Sequence, residues 1–244
     1  MSHINKSINI LAWNCNGLTR NKTVELASKM KDYQTDIILL SETQFTKEDK
    51  RYIKGYKLYH ANHPSNKNRG GAAIFIKDSI RQNLIDVIED DIFQVVVINI
   101  ETDLGNFNVA AIYSLPSYNI TKEEYVILFN KLGNKFLIGG DWNSKNTRWG
   151  SRYTSIKGIQ MEETVAEIHG DYVTPGKPTF YPYKDNCQPD LLDFFVYKNI
   201  SLNNKTCCNV IDKCKVDHVP VTMTIFTNPV LINKLPSLYS KKTN

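Results

Sequence analysis

Short apolar runs recur along the whole chain, and most of them read as strands. They cover residues 8–13, 36–41, 56–60, 72–77, 93–100, 107–113, 135–139, 191–197 and 219–226. Ile, Val, Phe and Tyr fill them, and Gly, Asn, Asp or Pro bounds most, as expected of strands closed by turns. Three other stretches carry a helical period. Residues 22–33 put Leu26, Met30 and Tyr33 at i, i+4 and i+7, with Asn21 as the N-cap. Thr121-Lys122-Glu123-Glu124 reads as a capping box that opens a helix to about residue 132. Residues 156–169 carry Ile156, Ile159, Val165 and Ile168, and Gly170 follows as the C-cap.

Strands and helices mix without strict β-α alternation, and no repeat, low-complexity tract or long linker interrupts them before about residue 228. This predicts one α/β sandwich rather than a parallel doubly wound sheet. The 244 residues are 41% hydrophobic, enough for a sizeable core. No apolar run approaches the ~20 residues of a membrane span. Residues 228–244 hold two prolines and a polar end and read as an extended connector.

Charge and cysteine content narrow the picture only a little. A net charge of +5, from 30 basic and 25 acidic residues, permits a polyanionic partner without demanding one. The five cysteines are an odd count, and the N-terminus lacks a charged region followed by an apolar block. Both features predict reduced thiols in the cytosol or nucleus and no secretion. Cys207, Cys208, Cys214 and His218 lie within a dozen residues of one another, but their spacing lacks the usual C-x2-C pair of a zinc site.

The candidate chemistry sits where strands end. Residues 137–144, Leu-Ile-Gly-Gly-Asp-Trp-Asn-Ser, run from an apolar strand through a Gly pair to Asp141 and Asn143. Other strand ends carry Asn14 and Asn16, Ser41-Glu42-Thr43, Tyr113, Asp193 and Asp217-His218. Each has an ordinary structural reading when taken singly, as a turn former, a solvated strand end or core packing. Together they are the parts of a hydrolytic phosphodiesterase. Glu42, with Asn14 or Asn16, offers oxygen ligands to a hard cation. Asp141 can be the base for water. Asn143, Tyr113 and His218 can donate to a developing oxyanion, and Asp193 can orient the imidazole.

The order Trp13-Asn14-x-Asn16-Gly17, Ser41-Glu42-Thr43, Tyr113, Gly140-Asp141-Trp142-Asn143, Leu192-Asp193 and Asp217-His218-x-Pro220 resembles the endonuclease/exonuclease/phosphatase superfamily. DNase I, exonuclease III-type apurinic endonucleases and inositol polyphosphate 5-phosphatases belong to it. The resemblance covers about residues 7 to 227. The run 140–151, Gly-Asp-Trp-Asn-Ser-Lys-Asn-Thr-Arg-Trp-Gly-Ser, is similar to the endonucleases of jockey-like non-LTR retrotransposons, and so are Pro178-Thr179-Phe180 and Leu191-Leu192-Asp193.

The resemblance implies a DNase I-like four-layer α/β sandwich, two packed mixed β-sheets flanked by helices. The nuclease domain would span residues 1–227, and residues 228–244 would lead to a reverse transcriptase domain of the same polyprotein. It implies Mg2+, with Mn2+ as a substitute, and double-stranded DNA as substrate, nicked on one strand to leave a 3′-hydroxyl that primes reverse transcription. It also implies synthesis in the cytoplasm, action in the nucleus and a monomeric isolated domain. Residue by residue, Asn14 and Glu42 would position the metal, with Asp217 supporting it. Tyr113, Asn143 and His218 would contact the scissile phosphate, Asp141 would activate or orient water, and Asp193 would hold His218. Thr179 matches a position that touches DNA or the site rim in relatives.

Phosphate contacts outside the catalytic centre are expected from Lys145, Arg148 and Arg152, which surround Trp149, and from Arg69 in the basic loop 66–71. Trp149 itself is expected to pack under its loop. No short helix advertises base readout, so sequence preference should follow DNA shape. Two other readings stay open: an apurinic-site repair enzyme of the same fold, and a catalytically inactive DNA-binding domain.

Overall fold

The computed structural model describes residues 7–183, 186–202, 207–210 and 217–232. Cys214, Val216, Lys184 and the tail beyond residue 232 lie outside the described residues. The strands are β1 (Ile8–Asn14), β2 (Ile37–Ser41), β3 (Tyr56–Ala61), β4 (Ala72–Lys77), β5 (Gln82–Glu89), β6 (Phe93–Ile100), β7 (Phe107–Ser114), β8 (Phe136–Asp141), β9 (Asp171–Val173), β10 (Asp193–Lys198), β11 (Cys207–Val210) and β12 (Val221–Ile225). The helices are α1 (Arg20–Asp32), α2 (Lys122–Lys131) and α3 (Ile156–Glu167), with a 3-10 turn at Thr147–Trp149.

The strands form two six-stranded mixed sheets, ordered β11-β12-β1-β2-β4-β3 and β5-β6-β7-β8-β10-β9. Ile10, Ile37, Leu39 and Ile74 from the first sheet pack against Val96, Ile98, Val109, Leu137 and Phe195 from the second. Leu26 and Met30 of α1 cover the outer face of the first sheet, against Leu11, Ile38, Leu40 and Phe75. Tyr125, Phe129, Met161 and Val165 of α2 and α3 cover the outer face of the second, against Val97, Ala110, Ile138 and Phe194. Four layers result. Covering both faces of each sheet explains why the central strands are continuous apolar runs rather than alternating ones.

The register brings chemistry to one end of the sandwich. Each sheet has one parallel pair, β1/β2 and β7/β8, and their carboxyl ends align Asn14 with Ser41 and Tyr113 with Asp141. β10 runs antiparallel to β8 and starts level with its end, pairing Asp193 with Asp141. β12 is antiparallel to β1, so its entry segment, which carries His218, arrives beside Asn14. Six polar residues distant in sequence therefore share one edge.

The helix boundaries depart from expectation in detail. α1 starts earlier, with Thr19 rather than Asn21 as N-cap, and Tyr33 is exposed while Thr23, Leu26 and Met30 are buried. The Thr121 capping box is present with both its hydrogen bonds. α3 ends in a left-handed residue at His169, φ 56°, and the Gly170 N–H then bonds Val165 O. α3 also turns a different face inward. Lys157, Gly158, Met161, Thr164 and Val165 are buried, whereas Ile156 and Ile159 face solvent.

β5, β9 and β11 lie outside the expected strands. β5 and β11 are sheet edges, β9 has three residues, and β5 carries a bulge between Leu84 and Asp86. Residues 228–232 are bonded to the sandwich rather than free of it. Asn228 O and Val230 O accept from Asp103 N and Arg81 N, and Ile232 N donates to Ser79 O. No helix among the described residues is long and apolar enough to cross a membrane.

Candidate active site

The shared edge opens into a cavity of about 740 Å³ whose walls include Asn14, Glu42, Tyr113, Asp141, Asn143, Lys157, Asp217 and His218. The turn after β8 reaches it because two glycines let the sheets close. A Cβ on Gly139 would lie 2.4 Å from the Phe195 ring, and one on Gly140 would lie 2.2 Å from Ile112 O. No larger residue fits either place without moving backbone or core.

Asp141 is buried and held by three amide donors. Asn14 Nδ2 reaches its Oδ2 at 2.8 Å, Asn143 Nδ2 reaches the same oxygen at 2.9 Å, and Asn143 N reaches Oδ1 at 2.9 Å. Burial pushes its carboxyl up to about 7, against the opposing pull of the His218 charge. His218 presents Nε2 to Asp141 at 3.9 Å and binds Asp193 Oδ2 through Nδ1 at 2.8 Å. Burial disfavours the charged ring, but the Asp193 carboxylate and its hydrogen bond outweigh that and raise the imidazole to about 9. Nδ1–H donates to Asp193, and the other ring nitrogen, Nε2, faces the cavity. The Phe180 ring covers the imidazole, 4.8 Å between centroids.

Thr179 stands behind this line rather than on a DNA-facing rim. It is fully buried, and its Oγ1 accepts the backbone N–H groups of Leu192 and Asp193, both at 3.0 Å. It therefore sets the start of β10 and, through it, Asp193. Asn143 also differs from the expected phosphate contact. Both hydrogens of its amide are engaged, by Asp141 Oδ2 and by Ser114 O at 3.0 Å. In this geometry it orients Asp141.

The metal-ligand candidates converge on the other wall. Asn14 Nδ2 also donates to Glu42 Oε2 at 3.1 Å, so one amide spans the Glu42 and Asp141 carboxylates. Asp217 accepts from His218 N through Oδ1 at 3.1 Å and from Asn16 Nδ2 through Oδ2 at 3.4 Å. Asn16, Glu42 and Asn143 all hold positive φ, at 42°, 53° and 45°. Such backbone costs energy in residues with a Cβ, and at a site it serves to aim side chains. Tyr113 hydrogen-bonds Glu42, and burial first, then the Glu42 and Asp141 charges, hold its phenol protonated.

Asp141, Asp193 and Asp217 act on the His218 imidazole, and Glu42 lines the same cavity, linked to Asp141 through Asn14. That excess of oxygen donors and negative charge fits a hard divalent cation. Asp141, Asp193 and His218 also bring ligand atoms within 4.8 Å of one another. His218 Nδ1 is committed to Asp193, however, so in this trio Asp193 orients the imidazole by a hydrogen bond and its Nε2 faces Asp141 at 3.9 Å. The zinc combination loses His218 to Asp193 as well.

The basic residues around the cleft divide into two groups. Lys145 Nζ is 2.9 Å from the buried Asp190 carboxylate and lies 4.7 Å over the Tyr153 ring, so its charge is already engaged. Arg148 makes a loose 3.5 Å contact with Glu162 and is largely exposed. Arg69 and Arg152 are exposed, and Arg69 sits on a loop whose Gly70 and Gly71 carbonyls accept from Gln44 N and Thr43 N, beside Glu42. Trp149 packs on Phe194 and Tyr172 beneath its loop, as expected.

Sequence reasoning missed Lys157 as part of the site and gave Ser41 and Phe180 no role in it. Ser41 Oγ donates to Ile112 O and accepts from Asp141 N. Only its place beside Glu42 hinted at this.

The sequence profile described as "Endonuclease/Exonuclease/phosphatase family" matches residues 11–213. The chain is 32% identical over 226 residues to the RNA-directed DNA polymerase from mobile element jockey of Drosophila melanogaster, across 92% of this chain and 24% of that protein. It is 32% identical over 240 residues to the probable RNA-directed DNA polymerase from transposon BS of the same species, across 97% and 26%. The chain thus spans about a quarter of the length of these relatives. Among solved structures, the endonuclease domain of TRAS1, a telomere-specific non-LTR retrotransposon, superimposes with a TM-score of 0.72 at 20% identity, covering 90% of this chain and 98% of that one. The AP endonuclease LMAP from Leishmania major gives 0.73 at 12% identity, covering 91% and 88%. At these identities the structural likeness is one of fold, the two-sheet sandwich.

Proposed function

This chain belongs to the endonuclease/exonuclease/phosphatase family, and from that premise we propose that it is a divalent-metal-dependent endonuclease that nicks one strand of duplex DNA and leaves a 3′-hydroxyl. Its sequence relatives are RNA-directed DNA polymerases of mobile elements. On this reading the chain is the nuclease portion of such a polyprotein and acts on chromosomal DNA in the nucleus. The freed 3′ end would prime synthesis by a reverse transcriptase portion of the same protein.

The observation that carries the reading is the line Asp193–His218–Asp141, with contacts of 2.8 Å and 3.9 Å and the Asn143 and Asn14 amides fixed on Asp141. Water adds to phosphorus, the bond from phosphorus to O3′ breaks, the leaving oxygen takes a proton from solvent to become the 3′-hydroxyl, and the phosphate stays on the 5′ end of the downstream piece. Asp141 takes the proton from water. A carboxyl near 7 is basic enough to accept it and still ionised in a large fraction at neutral pH. His218, kept charged by Asp193, turns Nε2–H toward the non-bridging oxygens where negative charge grows. Tyr113, kept as a phenol, would be a second donor on that side once its single O–H turns from Glu42. Glu42, Asn14 and Asp217 would hold the cation, which supplies positive charge against the phosphate oxygens when bound.

The test uses the purified chain and supercoiled plasmid. Nicked circles should form with Mg2+ or Mn2+ and not with chelator, and a polymerase should extend the new ends without prior phosphatase treatment. Intact plasmid in every metal, or ends that need a phosphatase first, would sink the reading. A duplex carrying one abasic site, cleaved far faster than the same duplex without it, would move the assignment to repair.

A further inference from the structure

Lys157 is a buried lysine in an unfavourable place. It sits in the first turn of α3, two residues after the N-cap Ser155, where the helix dipole is positive and repels a cation. Only 5% of it is exposed, and burial works against the charge as well. Among the described residues its ammonium makes one hydrogen bond, from Nζ to Leu115 O at 2.9 Å. A fold seeking stability alone would put an apolar residue there, beside Met161 and Val165 on the same face.

Three basic side chains line the cavity among the described residues, and two are matched to carboxylates. Lys145 is paired with Asp190, and His218 with Asp193. Lys157 has no carboxylate in ion-pair contact among the described residues. An ammonium carries three donors, so two remain for whatever enters the cavity. The backbone that carries that ammonium is held firmly. Ser155 N donates to Lys145 O at 2.9 Å, and a Cβ on Gly158 would lie 1.8 Å from the same oxygen, so the start of α3 is clamped to the loop after Asn143.

We propose that Lys157 contacts a phosphate of the cleaved strand, donating its two free N–H groups to a non-bridging oxygen inside the cavity. The inference rests on the phosphodiester reading of the site. In an acidic cavity, such a polyanion is the substrate class that needs a fixed cation beside the metal. Desolvation lowers the ammonium to about 8 while the Asp141 charge favours it, which leaves it protonated at neutral pH.

Two variants of the chain, Lys157→Met and Lys157→Arg, test it. Binding of a duplex oligonucleotide is followed over a range of salt with Ca2+ in place of Mg2+, and plasmid nicking is followed with Mg2+. For Lys157→Met the slope of log K against log[salt] should shrink by about 0.9, the value of one lost phosphate contact on duplex DNA. Nicking should fall by on the order of tenfold or more, with no drop in melting temperature. Lys157→Arg should keep the wild-type slope. An unchanged slope for Lys157→Met overturns the proposal whatever happens to nicking, and so does a Lys157→Arg slope equal to that of Lys157→Met. Failure of the wild-type chain to nick at all would instead strike the phosphodiesterase reading itself.

Discussion

Ser41 and Asp141 lie 100 residues apart on different sheets, and the Asp141 N–H donates to Ser41 Oγ at 2.9 Å. The same hydroxyl donates to Ile112 O at 2.7 Å. One buried side chain thus ties the end of β2 to the ends of β7 and β8, between Glu42 on one sheet and Asp141 on the other. Ser41→Ala would leave a buried N–H and a buried carbonyl without this partner, at a cost of about 1–3 kcal/mol. For a domain of this size that lowers the melting temperature by several degrees. Nicking should fall more steeply than stability explains, since Asp141 loses its anchor. A variant as stable and as active as the wild type would show that the tie is incidental.

The shifts of Asp141 and His218 predict a bell-shaped pH profile. Asp141 must be ionised to take a proton, so the rate should rise through about 7. His218 must be charged to donate, so the rate should fall through about 9. Asp193→Asn removes the charge that holds the imidazole up and should pull the alkaline limb down. If kcat against pH keeps its alkaline limb in that variant, His218 is not the titrating donor.

The same shifts affect folding. Asp141 titrates higher in the fold than its ordinary value of 3.8, so its contribution is complete below that and lost as pH rises through about 7. His218 is raised above 6.5, so its contribution is complete below that value and lost through about 9. Metal-free protein should therefore lose stability from acidic to alkaline pH, the Asp141 share by about 7 and the His218 share between 6.5 and about 9. Asp141→Asn should remove the lower part of that loss while reducing nicking by about 10²–10⁴-fold. Thermal melts of both proteins in chelator at pH 6 and pH 9 check this, and an equal loss in the two would contradict it.

The cationic rim should separate by partner. Arg69→Ala and Arg152→Ala each remove an exposed charge with no ion pair among the described residues, so each should lower the salt slope of DNA binding by about 0.9 and leave stability alone. Lys145→Ala should do the reverse. It strands the buried Asp190 carboxylate, at a cost on the order of 1–3 kcal/mol, and changes the slope less. Salt titrations and melts of the three variants distinguish the roles, and a full unit of slope lost with Lys145→Ala would return it to the DNA contacts.

What the sequence reveals and what it hides follow from how each residue finds its partner. The central strands, the capping box at Thr121 and the polar strand ends are local patterns, so they are legible. The DNase I-like four layers follow once those ends are seen as one constellation. β5, β9 and β11 are short or border a sheet, with little of the apolar run that marks a buried strand. Thr179 reads as a rim residue because its partners, Leu192 N and Asp193 N, lie far along the chain. Lys145 reads as free for the same reason, since Asp190 is 45 positions away. The face of α3 is misread because hydrophobicity is the only cue, and a functional helix can bury a Lys and a Gly while exposing two Ile.

Gly158 makes that last point measurable. In an ordinary helix, Gly→Ala gains about 1 kcal/mol of helix propensity. Here the added methyl would fall 1.8 Å from Lys145 O and 2.7 Å from its carbonyl carbon. Backbone blocks it, so α3 must withdraw from the 143–146 loop or that loop must shift. Either movement displaces Lys157 and loosens the Ser155 bonds to Lys145. The clash should outweigh the propensity gain, with Gly158→Ala destabilised by about 1–3 kcal/mol as an overpacked core site is. Nicking should fall further than that loss alone explains, because the helix carries a cavity lysine with it. Gly158→Ala melting above the wild type would mean that the close approach has no energetic weight.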